Sequence, residues 1–159
     1  MGNYNISRNL EASLIDYIKS VLTGSWTDVS VEKTFNQISK VALPGIFLRV
    51  SDTIHETVEI GGTATKRFPL VLIDLFCKSD GQRLDLKDFL VSKLKSGCPY
   101  YQYVITNGVI TSKTANGRIR VTSIQDTPIN FTTDKSELEV SDRYRHLLTL
   151  NISLGKIEA

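Results

Sequence analysis

The chain has 159 residues, 41% of them hydrophobic and 23% charged, with a formal net charge of +2 at pH 7. That length suits a single domain over residues 1–159, able to bury about two thirds of the surface its unfolded chain exposes. Lys and Arg are scattered among nearly as many Asp and Glu, which argues against the basic stripe of a nucleic-acid binder or a membrane-surface protein, and the ordinary composition excludes collagen, coiled coil and low-complexity disorder.

The first element is a helix from Ser7 to Leu22. Leu10, Leu14, Tyr17, Ile18, Val21 and Leu22 recur at helical spacing, Ser7 is the expected N-cap and Gly24 the stop. A short strand is expected near Val29 to Phe35. Pro44-Gly45 then opens a longer one, Ile46 to Ile60, whose even positions are mostly apolar and odd positions mostly polar, the alternation of an antiparallel strand with one wet face. Gly61-Gly62 marks a hairpin turn. The return strand, Arg67 to Cys77, is apolar throughout its centre and is expected to be covered on both faces. A second helix follows, with Asp80 as N-cap, Gly81 as its first residue, Asp85 and Asp88 early, Lys93 and Lys95 late, Gly97 just beyond and Pro99 after it. Acid first and base last is the order that the helix dipole favours. Leu86, Phe89, Leu90 and Leu94 form its buried stripe.

Three further strands are expected. One runs from Tyr100 to Ile105 and turns at Asn107-Gly108. Another starts after Asn116-Gly117 and runs from Arg118 to Ile124, with Pro128 marking an edge or a bend. The last runs from Arg143 to Leu154 in nearly clean alternation. The expected fold is therefore α+β, two helices packed on a mainly antiparallel sheet in the order α-β-β-β-α-β-β-β.

No constellation for catalysis, metal binding or a cofactor emerges. The two histidines, His55 and His146, lie on the polar and apolar faces of their strands and neither stands at metal-ligand spacing. Gly61-Gly62-Thr63-Ala64-Thr65-Lys66 lacks the Lys-Ser/Thr pair of a phosphate loop and is followed by a strand, so it reads as a turn. Asp74 interrupts an apolar run; it is expected to pair with an arginine or to meet a neighbouring subunit. Tyr100, Tyr101 and Tyr103 offer rings that stack single-stranded bases in other proteins, but no Lys or Arg is interleaved with them. Lys113, Arg118 and Arg120 read as a solvated strand face. Cys77 and Cys98 show no C-x-x-C spacing; the spacing leaves a disulfide open, and a reduced pair in a cytosolic protein is the expectation. The Met1–Ser7 segment has no signal-peptide pattern, Ile6 stands where a myristoylation motif needs Ser or Thr, the sequons at Asn5, Asn130 and Asn151 are read as chance matches, and no apolar run approaches the ~20 residues that span a bilayer.

The layout of these elements resembles the tail-terminator and neck (head–tail joining) proteins of long-tailed bacteriophages. The N-terminal helix, Leu43-Pro44-Gly45-Ile46-Phe47-Leu48-Arg49-Val50, the long hairpin turning near Gly61-Gly62, Val71-Leu72-Ile73-Asp74-Leu75-Phe76-Cys77, Asp80-Gly81-Gln82-Arg83-Leu84-Asp85 opening a helix, and the late strand Arg143 to Leu150 carry that resemblance. It implies a virion structural protein rather than an enzyme: a ring, expected to be a hexamer, that caps the tail tube and offers its other face to the head connector. Its implied partners are copies of itself, the tail tube protein, a head-connector or neck protein, and genomic DNA passing through the lumen without being gripped; no membrane is involved. The resemblance further implies that it is made in the host bacterial cytoplasm and located in the virion. The polar strand face (Arg49, Ser51, Thr53, Thr57, Glu59), the tip from Gly61 and Gly62 to Lys66, and Asp74 are the expected interface. The alternative within the same layout is a neck adaptor, or head-completion protein, between portal and tail. A small enzyme using Asp74 and His146, or a single-stranded nucleic-acid binder using the three tyrosines, is the alternative from another class.

Overall fold

The computed structural model describes residues 5–33, 44–129, 144–155 and 157–158. Phe35 of the expected second element, Leu43, Asn130 and Arg143 lie outside them. The first helix, α1, is Ile6–Leu22, and its stripe of Leu10, Leu14, Ile18 and Leu22 is buried. It starts one residue earlier than expected. Asn5 is the N-cap, and Asn5 caps with its carbonyl rather than its side chain, bonded by the Asn9 N–H at 2.9 Å. The Ser7 hydroxyl is engaged elsewhere, accepting from Arg67 Nη1 at 2.8 Å. Gly24 ends the helix at φ +85°, a backbone conformation that glycine adopts without strain.

Strand β1 (Ser30–Glu32) pairs in parallel with β2 (Gly45–Thr57), which forms an antiparallel hairpin with β3 (Thr65–Phe76). Helix α2 (Asp80–Leu94) follows, then β4 (Cys98–Thr106), β5 (Val109–Ile129), β6 (Arg145–Ser153) and β7 (Ile157–Glu158). The strand order across the sheet is β1-β2-β3-β6-β5-β4, with β7 paired to the far end of β3.

The plain α+β layout expected from the sequence does not hold. The sheet is mixed and curls into a half-barrel, and strand accounts for 53% of the described residues. Three local causes account for the difference. The β1–β2 pair is parallel. A terminal β7 follows the last expected strand. Most importantly, Asn116-Gly117 is no turn. Pro99 pairs with Arg118 and Tyr101 with Ala115, so Asn116 and Gly117 together oppose Tyr100, and Gly117 has φ +99°. The pair makes a β-bulge, the other use of a glycine with positive φ, and the strand runs on through it. β5 therefore spans 21 residues. Its first half pairs with β4 and its second half with β6, which bends the sheet around the core.

The core lies inside this curl. Ile46 and Leu48 of β2, Val71, Ile73 and Leu75 of β3, and Leu148, Leu150 and Ile152 of β6 meet the apolar stripes of both helices, Leu86, Leu90 and Leu94 being those of α2. The α2 start also differs from the expected one. Ser79 is the N-cap, its hydroxyl accepting from the Gln82 N–H at 3.2 Å, and Asp80 is the first helical residue. Serine, two residues before the first glycine of the helix, outcompetes Asp80 because its side chain reaches the N–H three positions on.

Helix α1 also closes the open side of the half-barrel. β4 is an edge strand, and unpaired edge groups invite foreign strands. Here Ser13 Oγ accepts from Tyr101 N at 2.9 Å and Asn9 Oδ1 from Tyr103 N at 3.4 Å. Both polar side chains are buried. On its other flank, Glu11 Oε2 accepts from Val50 N of β2 at 3.5 Å. The helix thus spans from one margin of the curled sheet to the other.

Candidate functional site

Two β-hairpins leave the body as arms. The first consists of the distal halves of β2 and β3. It begins at a second bulge: Val50 pairs with Val71 but Thr53 with Pro69, so Ser51 and Asp52 oppose Leu70 alone. Pro69 has no N–H to give to a ladder, and it stands just before β6 begins to pair with β3 at Leu70. Bulge and proline together mark where the sheet ends and the arm starts. Beyond that point the apolar positions of the alternating pattern no longer face the core. Ile54 is 63% exposed and Ile60 107%. The arm's base is held by Arg67, whose guanidinium pairs with Glu158 at 3.0 Å.

The second arm is the distal end of β4 and β5, turning at Asn107 (φ +51°) and Gly108 (φ +80°), the conformations of a two-residue hairpin loop. Val104, Val109 and Ile110 are exposed there. Between this arm and the outer face of α1 lies a groove of about 180 Å3 lined by Ala12, Ile15, Tyr103, Ile105 and Ile110, with Arg8, Lys19 and Lys33 around it. Tyr103 Oη donates to Asp16 Oδ2 at 2.6 Å in its wall; burial first, and then this bond, push the phenol well above its ordinary range.

The expected interface residues divide between the arm and the body. Thr57, Glu59, Gly61, Gly62 and Lys66 are exposed on the first arm, Arg49 is exposed where β2 leaves the core, and Ser51 in the bulge and Thr53 just after it are half-buried. Asp74 is elsewhere: it is 2% exposed on the face of β3 away from the helices, beside the edge-to-face pair Phe47–Phe76. Its carboxylate accepts from Arg145 Nε at 3.0 Å, and that guanidinium lies 5.0 Å over the Phe76 ring. The apolar arm residues and the groove were missed by sequence reasoning. The available signal was an isoleucine or valine directly beside a turn glycine, as in Ile60-Gly61 and Gly108-Val109-Ile110, where a strand face has no sheet left to cover it.

His146 is buried at the α2–β6 junction, with two partners. Arg83 Nη1 lies 2.6 Å from its Nδ1 and Asp126 Oδ1 3.2 Å from its Nε2. Guanidinium only donates, so Nδ1 is the acceptor and Nε2 carries the proton that Asp126 receives. Burial, the largest cause, holds the imidazole below its ordinary pKa, and Arg83 acts in the same direction against Asp126. Lys87 bonds Asp88 at 3.0 Å, which raises its pKa, and reaches Asp126 at 3.6 Å. His146 and Asp74 point to opposite faces of the sheet, so the structure does not bring together the two residues that a small enzyme was expected to use. The tyrosine rings are likewise occupied: Tyr100 and Tyr103 are buried, and Tyr101 lies edge-to-face with Tyr103 and 4.6 Å beneath Lys113 Nζ. Cys77 and Cys98 are free and buried; burial pushes their thiols up to about 11 and about 12. Among the described residues no group of His, Cys, Asp and Glu is placed to hold a metal ion, and no helix is long and apolar enough to cross a membrane. No protein-family model matches the chain, and no curated protein matches it.

Proposed function

We propose that the chain is a ring-forming structural protein of a long-tailed phage virion, a tail terminator that caps the tail tube and faces the head connector. The observation that carries this reading is the pair of hairpin arms with aliphatic residues at their exposed ends, Ile54, Val58 and Ile60 on one, Val104, Val109 and Ile110 on the other. Contiguous exposed apolar surface rimmed by polar groups marks a protein-contact site. Two groups of exposed aliphatic side chains on different parts of one chain suit an assembly in which each copy meets several neighbours. A well-buried core beneath them lets the arms project without weakening the body.

The test is the mass of the purified chain by light scattering across concentration, followed by electron microscopy of the chain mixed with purified tail tubes. A discrete species near six times the 17.8 kDa chain, and a single cap at one end of each tube, is the expected result. A chain that stays monomeric at every concentration and leaves tube ends bare overturns the reading.

A further inference from the structure

We infer that copies of this chain join by seating the acidic tip of the first arm of one copy in the basic groove beside α1 of the next. This rests on the self-assembly proposed above and names the surfaces that carry it. The arm bears Asp52 at its base and Glu56 and Glu59 toward its tip, around Ile54, Val58 and Ile60, all exposed. Lys66, the one cation on this stretch besides Arg67, sits across the hairpin from Glu56, and Arg67 is taken by Glu158. The tip is therefore net negative. The groove has the opposite character. Its apolar lining of Ile15, Ile105 and Ile110 is surrounded by Arg8, Lys19 and Lys33, all exposed, and the one carboxylate among the described lining residues, Asp16, accepts from Tyr103 and lies 4.0 Å from Lys113 Nζ. Apolar character and charge thus match between the two surfaces, aliphatic tip to aliphatic lining and carboxylates to cations.

The tip does not occupy the groove of its own chain, because Ile60 is 107% exposed. Nor does either patch complement itself, since two acidic tips or two basic grooves repel. The contact is therefore heterologous, tip to groove, leaving a joined pair with one free groove on one copy and one free tip on the other. Such contacts propagate head to tail and close into a ring when the rotation between copies allows it. Two-fold pairing through either patch is disfavoured by the same charges.

Mixing two charge-reversed variants tests this directly. A tip variant, Glu56→Lys with Glu59→Lys, and a groove variant, Arg8→Glu with Lys19→Glu, change exposed side chains only, and circular dichroism checks that each is folded. Each alone is expected to be monomeric, with association weakened at least about a hundredfold by like-charge contact. Mixed in equal amounts, they are expected to regain the wild-type mass as alternating copies, because the native tip meets the native groove at one contact and the reversed tip meets the reversed groove at the next. A chain carrying all four changes is expected to regain the wild-type mass. If the wild type assembles and both variants assemble unchanged, the tip-to-groove contact is wrong while the ring reading stands. If the wild type stays monomeric at every concentration and leaves tube ends bare, both fall.

Discussion

At the scale of the residue, two side-chain environments make the sharpest claims. His146 is held neutral between a donor and an acceptor. Its folded pKa lies below the ordinary 6.5, so its contribution to stability is present above 6.5 and is lost as pH falls through the folded value, where the unfolded chain binds a proton that the native site resists. In His146→Gln the amide keeps an acceptor for Arg83 and a donor for Asp126 but cannot titrate. Urea unfolding at pH 7.5 and 5.5, followed by the fluorescence of the only tryptophan, Trp26, which packs on Phe89, is expected to show a smaller loss of stability on acidification for the variant than for the wild type. Gly97 is the second case. It has φ +74°, and a Cβ there would lie 2.3 Å from the Ile119 carbonyl oxygen. Gly97→Ala is expected to cost at least about 1–3 kcal/mol from the backbone alone, read as a lower urea midpoint, whereas Gly108→Ala, in open space at similar φ, tests the backbone effect without the clash. The need for glycine at residue 97 was legible in the sequence as a helix stop before Pro99. The approach of Ile119 was not, because it comes from a strand 22 residues away that reaches the helix end only in the folded sheet.

At the scale of the element, α1 is a core helix on one face and an edge cap on another. Ser13 both accepts from Tyr101 N and donates to Tyr101 O, at 2.9 and 3.4 Å. Ser13→Ala leaves a buried backbone N–H without its partner and is expected to cost about 1–3 kcal/mol; an unchanged melting temperature contradicts the edge-capping role. The amphipathic stripe of α1 was plain from spacing alone. The role of the polar residues Asn9 and Ser13 was not legible there, since nothing local says that a strand edge lies beside them. The same limit explains β5. Asn-Gly favours positive φ wherever it occurs, and the chain uses it once for a turn, at Asn107-Gly108, and once for a bulge, at Asn116-Gly117. Which of the two it makes depends on whether the partner strand continues opposite, and β4 does.

At the scale of the whole molecule, the body and the arms have separate jobs. The tip of the first arm makes no contribution to the buried cluster inside the curl. Replacing residues 58–64 by Asn-Gly joins Thr57 to Thr65, which already face each other in register, and keeps the pairing of Thr65 with Glu158. The shortened chain is expected to melt within a few degrees of the wild type and to lose self-association in light scattering. A large drop in melting temperature contradicts the separation of arm from body. By itself, the sequence determined the helices, the main hairpin, the apolar faces of β2, β3 and β6 and the absence of a local metal-ligand motif, because these follow from periodicity and turn chemistry within a few residues. Only the tertiary structure decided that the sheet is mixed and curled, that Asp74 is paired with Arg145, that His146 is shared by Arg83 and Asp126, and that the isoleucines of the arms are left uncovered. Each of these depends on which distant strand or helix comes to lie alongside, and a bulge, a proline or an edge alters that neighbour without changing the local pattern of the chain.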